Sequence, residues 1–230
     1  MAFIVITGTG TDVGKTISTA AIVHYLHAQG HDVLPVKPVQ TGELPGNGDI
    51  ATITKLTGIE GKEYYRFRDP LAPNLAAQSE GSPQVDKEEL LSWLRSFDAP
   101  DRIVVIEGAG GLLVRLNDHF TVADIALALD APLVVVTSTG LGSLNSAELT
   151  VEAAQRRGLS VLGLVGGYID AEPDLATQLN LDEFARVTGV PFLGALEAGL
   201  GDLSREEFGR NVDKHAFKVL DQHLIPQPAR

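Results

Sequence analysis

The sequence contains no cysteine, which excludes disulfide bonds, thiolate metal sites and a cysteine nucleophile. Positive charge is also scarce, since 18 lysines and arginines face 30 aspartates and glutamates and leave a formal net charge of −12. An acidic surface repels nucleic acid and anionic membranes, so we expect neither as a partner. An anionic ligand would have to bind in a locally positive pocket.

Aromatic residues make up only 6% of the chain, and no apolar run is long enough to cross a membrane. The amino terminus lacks a basic region followed by an apolar one, and we therefore expect a cytoplasmic protein. Small apolar residues are common instead, which favours a parallel sheet with helices packed closely on it. The length suits one domain, residues 1–230, with a loose tail at 225–230.

Strand-like and helix-like segments alternate along the chain, an order typical of a single doubly wound α/β domain with a mainly parallel sheet. Pro38 is expected to end the second strand, and residues 59–85 are expected to be irregular and to shape a site. We predict strands at 3–6, 32–37, 102–106, 133–137, 161–166 and 191–196, and helices at 17–28, 50–56, 87–97, 121–129, 144–157, 174–187 and 204–224.

The first strand leads into a glycine-rich turn and then a helix, an arrangement that presents backbone N–H groups to an anion. In such phosphate-binding loops a lysine reaches the β- and γ-phosphates of a nucleotide, and the hydroxyl residue after it binds Mg²⁺. The strict motif has a glycine where this chain has Thr9, so the loop is a variant. We expect a fold of the P-loop nucleotide hydrolase type. The predicted nucleotide-binding residues are Asp12, Val13, Gly14, Lys15, Thr16 and Ile17.

Charged residues stand at the carboxyl ends of two more predicted strands, the edge where open α/β sheets bind ligands. Lys37 ends the second strand, and Glu107 follows the strand at 102–106. A carboxylate in this position is where phosphate-loop proteins hold their second Mg²⁺ contact. A solvated lysine and an exposed turn glutamate are the structural alternatives. The small residues after Glu107 allow the backbone to pass close to a nucleotide: Gly108, Ala109 and Gly110.

Three weaker candidates have ordinary structural explanations. Asp49 is well placed to be the N-cap of a helix, and Ser143 is a natural N-cap of another, whose amino end could bind an anion. His24, His27 and His31 have a spacing that could hold a metal. No carboxylate is in register with them, so we expect a solvated helix face.

Four segments together resemble the dethiobiotin synthetase family, whose members close the ureido ring on the route to biotin. The phosphate loop alone is shared by many nucleotide enzymes, but its combination with Lys-Pro-Val-Gln-Thr-Gly is specific. Weaker likeness at 72–77 and 191–194 extends the resemblance over most of the chain to about residue 200. The four segments are residues 8–16, 37–42, 107–114 and 140–145.

The resemblance implies that 7,8-diaminopelargonate, CO₂ and ATP give dethiobiotin, ADP and phosphate, through a carbamate and a carbamic-phosphoric mixed anhydride. It implies a homodimer with active sites at the interface. Lys15 and Lys37 would be catalytic, and Lys37 would bridge the γ-phosphate and the carbamate. The other implied residues are Thr16, Asp49 and Glu107 around Mg²⁺, Thr11 and Thr41 near the carbamate, and Leu144 and Asn145 from the neighbouring subunit at the substrate carboxylate.

The base-binding end departs from the family pattern. Many relatives place an asparagine after the fifth predicted strand to read adenine, whereas this chain has Gly167 and Tyr168. The family's other base-contacting loop matches Leu196, Glu197 and Ala198, with Glu197 in place of the usual proline. We therefore predict relaxed nucleotide specificity, with other triphosphates accepted.

Other functions fit the sequence less well. A P-loop amide ligase of the cobyrinate-modifying type usually carries a glutamine-hydrolysing domain with a cysteine nucleophile. A partitioning-type switch ATPase needs a second lysine early in the loop, at the position of Gly10. A GTPase would need an Asn-Lys-x-Asp string, which is absent. A nucleotide-binding module without activity would leave Lys37 and Thr41 unexplained.

Overall fold

The computed structural model describes residues 2–214 and residue 217. The strands within these residues are β1 (Ala2–Gly8), β2 (Asp32–Thr41), β3 (Lys62–Phe67), β4 (Arg102–Gly111), β5 (Arg115–Asn117), β6 (Phe120–Thr121), β7 (Leu133–Thr137), β8 (Val161–Ile169) and β9 (Phe192–Glu197). The helices are α1 (Lys15–Ala28), α2 (Asp49–Thr57), α3 (Pro73–Glu80), α4 (Lys87–Arg95), α5 (Val122–Ala128), α6 (Ser143–Gln155), α7 (Leu175–Thr188) and α8 (Arg205–Val212).

A seven-stranded sheet with the order β3-β2-β4-β1-β7-β8-β9 forms the centre of the molecule, and β5 pairs with β6 in a separate antiparallel hairpin. Every neighbouring pair in the large sheet is parallel, which confirms the predicted doubly wound α/β fold. Side chains alternate across the sheet, so both faces are covered. Val5 belongs to the core beneath α4 and α5, whereas Ile4 and Ile6 belong to the core beneath α1 and α2.

The sheet brings three predicted site segments to one edge. β1 pairs with β4 and β4 pairs with β2, so the carboxyl ends of these strands are close together. From β1 the chain first adds strands on one side of the sheet, β2 to β4, and then on the other side, β7 to β9. Open α/β sheets bind ligands at the point where the strand order reverses in this way. The phosphate loop follows β1, while Lys37 lies on β2 and Glu107 on β4.

Short polar side chains cap three helices whose starts agree with the predicted ones to within one residue. Asp86 accepts a hydrogen bond of 2.8 Å from a backbone N–H in the first turn of α4, and Asp174 does the same for α7. Thr121 and Asp124 cap each other at the start of α5. These helices begin where short polar side chains satisfy otherwise unpaired N–H groups.

The prediction that β2 ends before Pro38 is wrong, because the strand continues to Thr41. Pairing between β2 and β4 ends at Val36, and beyond that residue β2 pairs only with β3. Pro38 is not itself in register with a β3 residue. A proline is tolerated where no ladder hydrogen bond from its nitrogen is required. β4 and β8 also extend past the predicted ends, to Gly111 and Ile169.

The prediction that residues 59–85 are irregular is also wrong, since they contain β3 and α3. β3 is an edge strand whose residues are mostly half-buried, so it lacks a continuous apolar run. α3 begins at Pro73, a residue favoured in the first turn of a helix because its missing N–H is not needed there. The last predicted helix ends at Val212, and Asp213 and Lys214 form a turn. The remainder of that prediction, including the tail at 225–230, lies outside the described residues apart from residue 217.

The three histidines lie on and after α1 and are only partly on a solvated face. His27 is exposed, whereas His24 and His31 are half-buried. The ring of His24 packs edge-on against Phe208, and its Nε2 lies 3.3 Å from Asp213. Over the described part of the chain, no three histidine, aspartate or glutamate residues group together for a metal ion. In that same part, every helix is too short or too polar to span a bilayer.

Candidate active site

The phosphate loop connects β1 to α1 and leaves the amino end of α1 open. Gly14 is the N-cap residue of α1, and no side chain caps the helix there. Asp12 has a left-handed backbone with φ of 56°, an uncommon conformation that Asp tolerates better than most residues. The loop is fixed at its start, where the Thr9 N–H donates to the Val136 carbonyl at 2.9 Å. An uncapped helix end of this kind suits a phosphate.

The loop packs backbone to backbone against the end of β8. Gly14 has φ of 92°, and a Cβ on it would lie 2.6 Å from the Gly167 carbonyl oxygen. A Cβ on Gly167 would lie only 1.7 Å from the Val13 carbonyl oxygen. In this arrangement neither residue can carry a Cβ unless the phosphate loop and the end of β8 move apart.

Lys15 folds back over the phosphate loop. Its Nζ donates to the Gly10 carbonyl at 2.7 Å, and the residue is 8% exposed. Burial lowers the pKa of Lys15 below its ordinary value, and the neighbouring Lys37 ammonium lowers it further. A phosphate beside Lys15 would favour the charged ammonium and so oppose both effects.

Lys37 lies between two carboxylates in the interior of the site. It is 3% exposed, and its Nζ donates to Glu107 Oε1 at 2.9 Å and to the Gly108 carbonyl at 3.1 Å. Nζ also pairs with Asp49 Oδ2. Burial opposes the charge on Lys37, but the two carboxylates outweigh burial and raise the pKa of Lys37 above its ordinary value. Lys37 is therefore a buried, fully charged ammonium, and the solvated-lysine alternative is excluded.

Thr16, Asp49 and Glu107 place oxygen atoms around one point. The Thr16 hydroxyl donates to Asp49 Oδ1 at 2.9 Å and lies 3.1 Å from Glu107 Oε1. Burial favours the neutral form of Asp49, yet Lys37 holds the pKa of Asp49 below its usual value. Burial raises the pKa of Glu107 despite Lys37. Of the two carboxyl groups, Asp49 therefore stays ionised to lower pH than Glu107.

These oxygens fit a hard divalent cation. Glu107 is 1% exposed, and its Oε2 has no hydrogen-bond partner within residues 2–214 and residue 217. A buried carboxylate oxygen without a partner is costly, and a cation would satisfy it. Carboxylate and hydroxyl oxygens are the ligands that Mg²⁺ prefers. The donor set therefore fits Mg²⁺ bound by Thr16, Asp49 and Glu107.

The prediction that Asp49 is a helix N-cap is wrong. The N-cap of α2 is Gly48, and Asp49 is the first helical residue. The Asp49 N–H instead donates to Gln40 Oε1 at 3.0 Å. Gln40 lies in the Lys-Pro-Val-Gln-Thr-Gly segment but was not among the predicted site residues, because its contact crosses from β2 to α2.

A cavity of about 690 Å³ joins the phosphate loop, the ionic cluster and the loop before α3. Its apolar wall at residues 70–73 belongs to the segment 59–85 that was expected to shape a site, although none of these four residues was predicted individually. The predicted residues Val13, Gly108 and Gly167 lie behind this surface. The predicted residues that line it are Thr11, Asp12, Gly14, Lys15, Thr16, Ile17, Lys37, Thr41, Asp49, Glu107, Ala109, Gly110 and Tyr168.

Two predicted segments lie outside this cavity in the single chain. Leu196, Glu197 and Ala198 end β9, and the Ala198 N–H donates to the Ile169 carbonyl at 2.9 Å. Leu144 and Asn145 are in the first turn of α6. Both segments are therefore peripheral to the cavity of one protomer.

The prediction that Ser143 is the N-cap of α6 is wrong, since Gly142 occupies that position. The Ser143 hydroxyl donates to the Gly140 carbonyl at 2.6 Å and accepts from Asn180 Nδ2 at 3.2 Å. Because Ser143 is turned away, no side chain caps the first turn of α6. The Ser143 N–H donates to the Gly140 carbonyl at 3.1 Å, and the absence of a side-chain cap in the described residues leaves the rest of that turn available to an anion.

Comparison with solved structures supports the fold. The chain matches the MinC:MinD cell division protein complex of Aquifex aeolicus with a TM-score of 0.58 and 14% identity over 100% of this chain and 99% of that chain. It matches an ATP complex of a Cyanothece McdA variant with a TM-score of 0.52 and 15% identity over the same shares. At this identity the likeness shows the fold alone.

Comparison with protein families and curated proteins is far more specific. A family model described as an AAA domain matches residues 3–206. The chain is 65% identical to the ATP-dependent dethiobiotin synthetase BioD of Corynebacterium glutamicum strain R, over 100% of both proteins. It is 59% identical to the Corynebacterium diphtheriae protein of the same name, over 93% of this chain and 96% of that protein. The Rhodococcus jostii protein of that name is 45% identical over 91% and 92%. The chain belongs to the dethiobiotin synthetase family.

Proposed function

We propose that this protein is an ATP-dependent dethiobiotin synthase, a ligase that converts 7,8-diaminopelargonate, CO₂ and ATP into dethiobiotin, ADP and phosphate. One observation carries the proposal: the buried ammonium of Lys37 lies between Asp49 and Glu107, in the cavity that the phosphate loop also lines. A phosphate loop alone would serve any nucleotide enzyme. A second buried lysine beside it suits a reaction in which two anions must meet.

The chemistry brings a substrate carbamate against the γ-phosphate of ATP. The carbamate oxygen attacks phosphorus, ADP leaves, and the resulting mixed anhydride is opened by the second amine, which closes the ring and releases phosphate. Lys15 and Lys37 reduce the repulsion between the two anions and stabilise the charge on the transferred oxygens. Thr11 lies beside Gly110, and with Thr41 it lines the cavity where the carbamate would bind.

Thr16, Asp49 and Glu107 would hold Mg²⁺. When bound, this ion neutralises phosphate charge and orients the γ-phosphate. Asp49 is already ionised in the folded protein, since its pKa is lowered. Thr16 presents its hydroxyl to both carboxylates, so the three residues are arranged before any ligand binds.

The base of the nucleotide would lie beyond the phosphate loop, towards Gly167 and Tyr168 and the end of β9 at 196–198. Tyr168 is 44% exposed and lines the cavity. Gly167 offers only backbone, so no side-chain amide at that position can pair with adenine. We infer that several nucleoside triphosphates are accepted.

A homodimer would complete the site. Leu144 and Asn145 are outside the cavity of their own chain, and the open first turn of α6 suits a substrate carboxylate bound by a partner. Four leucines on α6, on its packing neighbour α7 and just before α6 are exposed, and exposed apolar side chains are common at protein contacts. They are Leu141 at 92%, Leu149 at 58%, Leu175 at 69% and Leu179 at 57% exposure. We further propose one domain spanning residues 1–230, a cytoplasmic location, and neither nucleic acid nor membrane as a partner.

A mass-spectrometric assay tests the activity. Purified protein is incubated with 7,8-diaminopelargonate, bicarbonate and Mg-ATP, and a parallel sample omits the diamine. Dethiobiotin mass and diamine-dependent ADP release are the expected results. Nucleotide hydrolysis at the same rate without the diamine, together with no dethiobiotin mass, would refute the proposal.

A further inference from the structure

Gln40 is a buried side chain of β2 that takes no part in the chemistry proposed above. It is 4% exposed. Its Oε1 accepts from the Asp49 N–H at 3.0 Å, and its Nε2 donates to the Thr41 carbonyl at 3.1 Å. The loop at residues 42–48 separates these two partners in sequence. One amide side chain therefore joins both ends of that loop.

The start of α2 explains why this contact is needed. The first N–H groups of a helix have no partner within the helix and are usually satisfied by the N-cap side chain. Gly48 is the N-cap and has no side chain. A Cβ on Gly48 would lie 2.7 Å from Gln40 Oε1, and its φ of 108° already disfavours other residues. Gln40 thus occupies the space next to the glycine N-cap and satisfies the N–H of the first helical residue, one of the groups that the helix itself leaves unpaired.

The consequence concerns the carboxylate of Asp49. Gln40 satisfies the N–H of Asp49, and the Asp49 carboxylate itself caps no helix. Its Oδ1 is left to accept from Thr16 at 2.9 Å, and its Oδ2 to pair with Lys37. The position of the α2 amino end relative to β2 therefore decides where this carboxylate lies.

We propose that Gln40 is a positioning residue that holds the Asp49 carboxylate in the Mg²⁺ site with Thr16 and Glu107. The proposal rests on the function proposed above and deepens it. Without the Gln40 amide, the first turn of α2 is free to shift and the carboxylate with it. Outer contacts that orient metal ligands typically change metal affinity by 10- to 100-fold, and we expect roughly a tenfold loss here.

The test is Mn²⁺ binding to the full chain, measured by electron paramagnetic resonance in the presence of a non-hydrolysable ATP analogue. Gln40→Met keeps a similar shape and removes both hydrogen bonds, so Mn²⁺ should bind roughly tenfold more weakly. Gln84→Met is the matched control, because Gln84 Oε1 accepts from the Asp118 N–H at 3.0 Å outside the site. This control should bind Mn²⁺ within about twofold of the unmodified protein.

Wild-type Mn²⁺ affinity in folded Gln40→Met would overturn the proposal, and so would an equal loss in Gln84→Met. Gln40→Asn keeps an amide but is too short to reach both partners, and it should show the same loss. If Gln40→Met does not fold, the Mn²⁺ affinity of Gln40→Asn is measured in its place. If neither variant folds, Gln40 is a residue of the fold and the positioning role is wrong. Dethiobiotin formation by the unmodified protein is measured separately. It tests the proposed activity, whereas Mn²⁺ affinity tests the positioning role of Gln40, so failure of one is distinguishable from failure of the other.

Discussion

Replacing Lys37 by methionine removes the ammonium between Asp49 and Glu107 and keeps a side chain of similar length. Lys37 is 3% exposed and Glu107 is 1% exposed, so water cannot replace the lost counter-charge. Removing one partner of a buried ion pair costs about 3–5 kcal/mol of unfolding free energy. For a chain of this size, each kcal/mol shifts Tm by about 2–4 °C, so Lys37→Met should lower Tm by roughly 6–20 °C.

The size of this loss should depend on pH. Burial already raises the pKa of Glu107, and without Lys37 the main opposing charge is gone. A carboxyl group with a folded-state pKa above its unfolded value reduces stability at high pH and ceases to do so once protonated. In the unmodified protein the Lys37 ammonium, whose own pKa is raised, opposes the rise in the pKa of Glu107, so the same effect on stability is smaller there. The difference in free energy of unfolding between Lys37→Met and the unmodified protein should therefore be smallest near pH 5 and largest near pH 8.

Urea unfolding at both pH values, with EDTA present, measures this difference. Lys55→Met is the control, since Lys55 is an exposed residue of α2 whose Nζ donates to the Gly201 carbonyl at 3.1 Å, away from the site, and it should change stability by less than about 1 kcal/mol. Equal destabilisation at the two pH values, or a loss no larger than that of Lys55→Met, would refute the reasoning. The variant should still bind nucleotide while turnover falls by roughly 10²- to 10³-fold, and unchanged turnover would remove Lys37 from the site.

Three further measurements address the nucleotide and the subunit interface. Gly167→Ala should raise the KM for ATP at least about tenfold, because its Cβ would displace the Val13 carbonyl, whereas Gly140→Ala has no atom nearer than 3.8 Å and serves as the control. Equal KM values for the two variants would contradict the packing argument. Steady-state rates with ATP, CTP and GTP should agree within roughly tenfold, since no amide reads the base, and a steep preference for ATP would refute relaxed specificity. Mixing Lys37→Met with Asn145→Ala in equal amounts after subunit exchange should restore about a quarter of the activity, because half the dimers then hold one intact site. No recovery in a mixture shown to contain mixed dimers would rule out a shared site.

Much of the fold could be predicted because its signals are local. Buried parallel strands such as β1, β4 and β7 are nearly continuous apolar runs, and a polar residue at the helix start identifies α4 and α7. β3 was not predicted, because an edge strand needs no continuous apolar run. The end of β2 was wrong because the effect of Pro38 depends on which neighbour is still paired at that point.

In the candidate site, too, the residues in local sequence patterns could be predicted, and the contacts between distant segments could not. Lys15 and Thr16 follow from the phosphate-loop pattern, and the structure brings them together with Lys37 and Glu107 as the strand ends predict. The environment of Asp49 could not be predicted, because its backbone partner lies nine positions earlier on another element. A helix start can be recognised from sequence only when its cap is a neighbour in the chain.

The contact between the phosphate loop and the end of β8 limits how base preference can be engineered or can evolve. In this backbone an asparagine at position 167 would introduce a Cβ 1.7 Å from the Val13 carbonyl oxygen, so the phosphate loop and the end of β8 would have to move apart to accept it. A substitution at that position therefore needs a compensating change in the residues that contact it. A designer seeking an ATP-selective enzyme would begin at Tyr168, which reaches the cavity from the adjacent position and leaves the glycine contact intact.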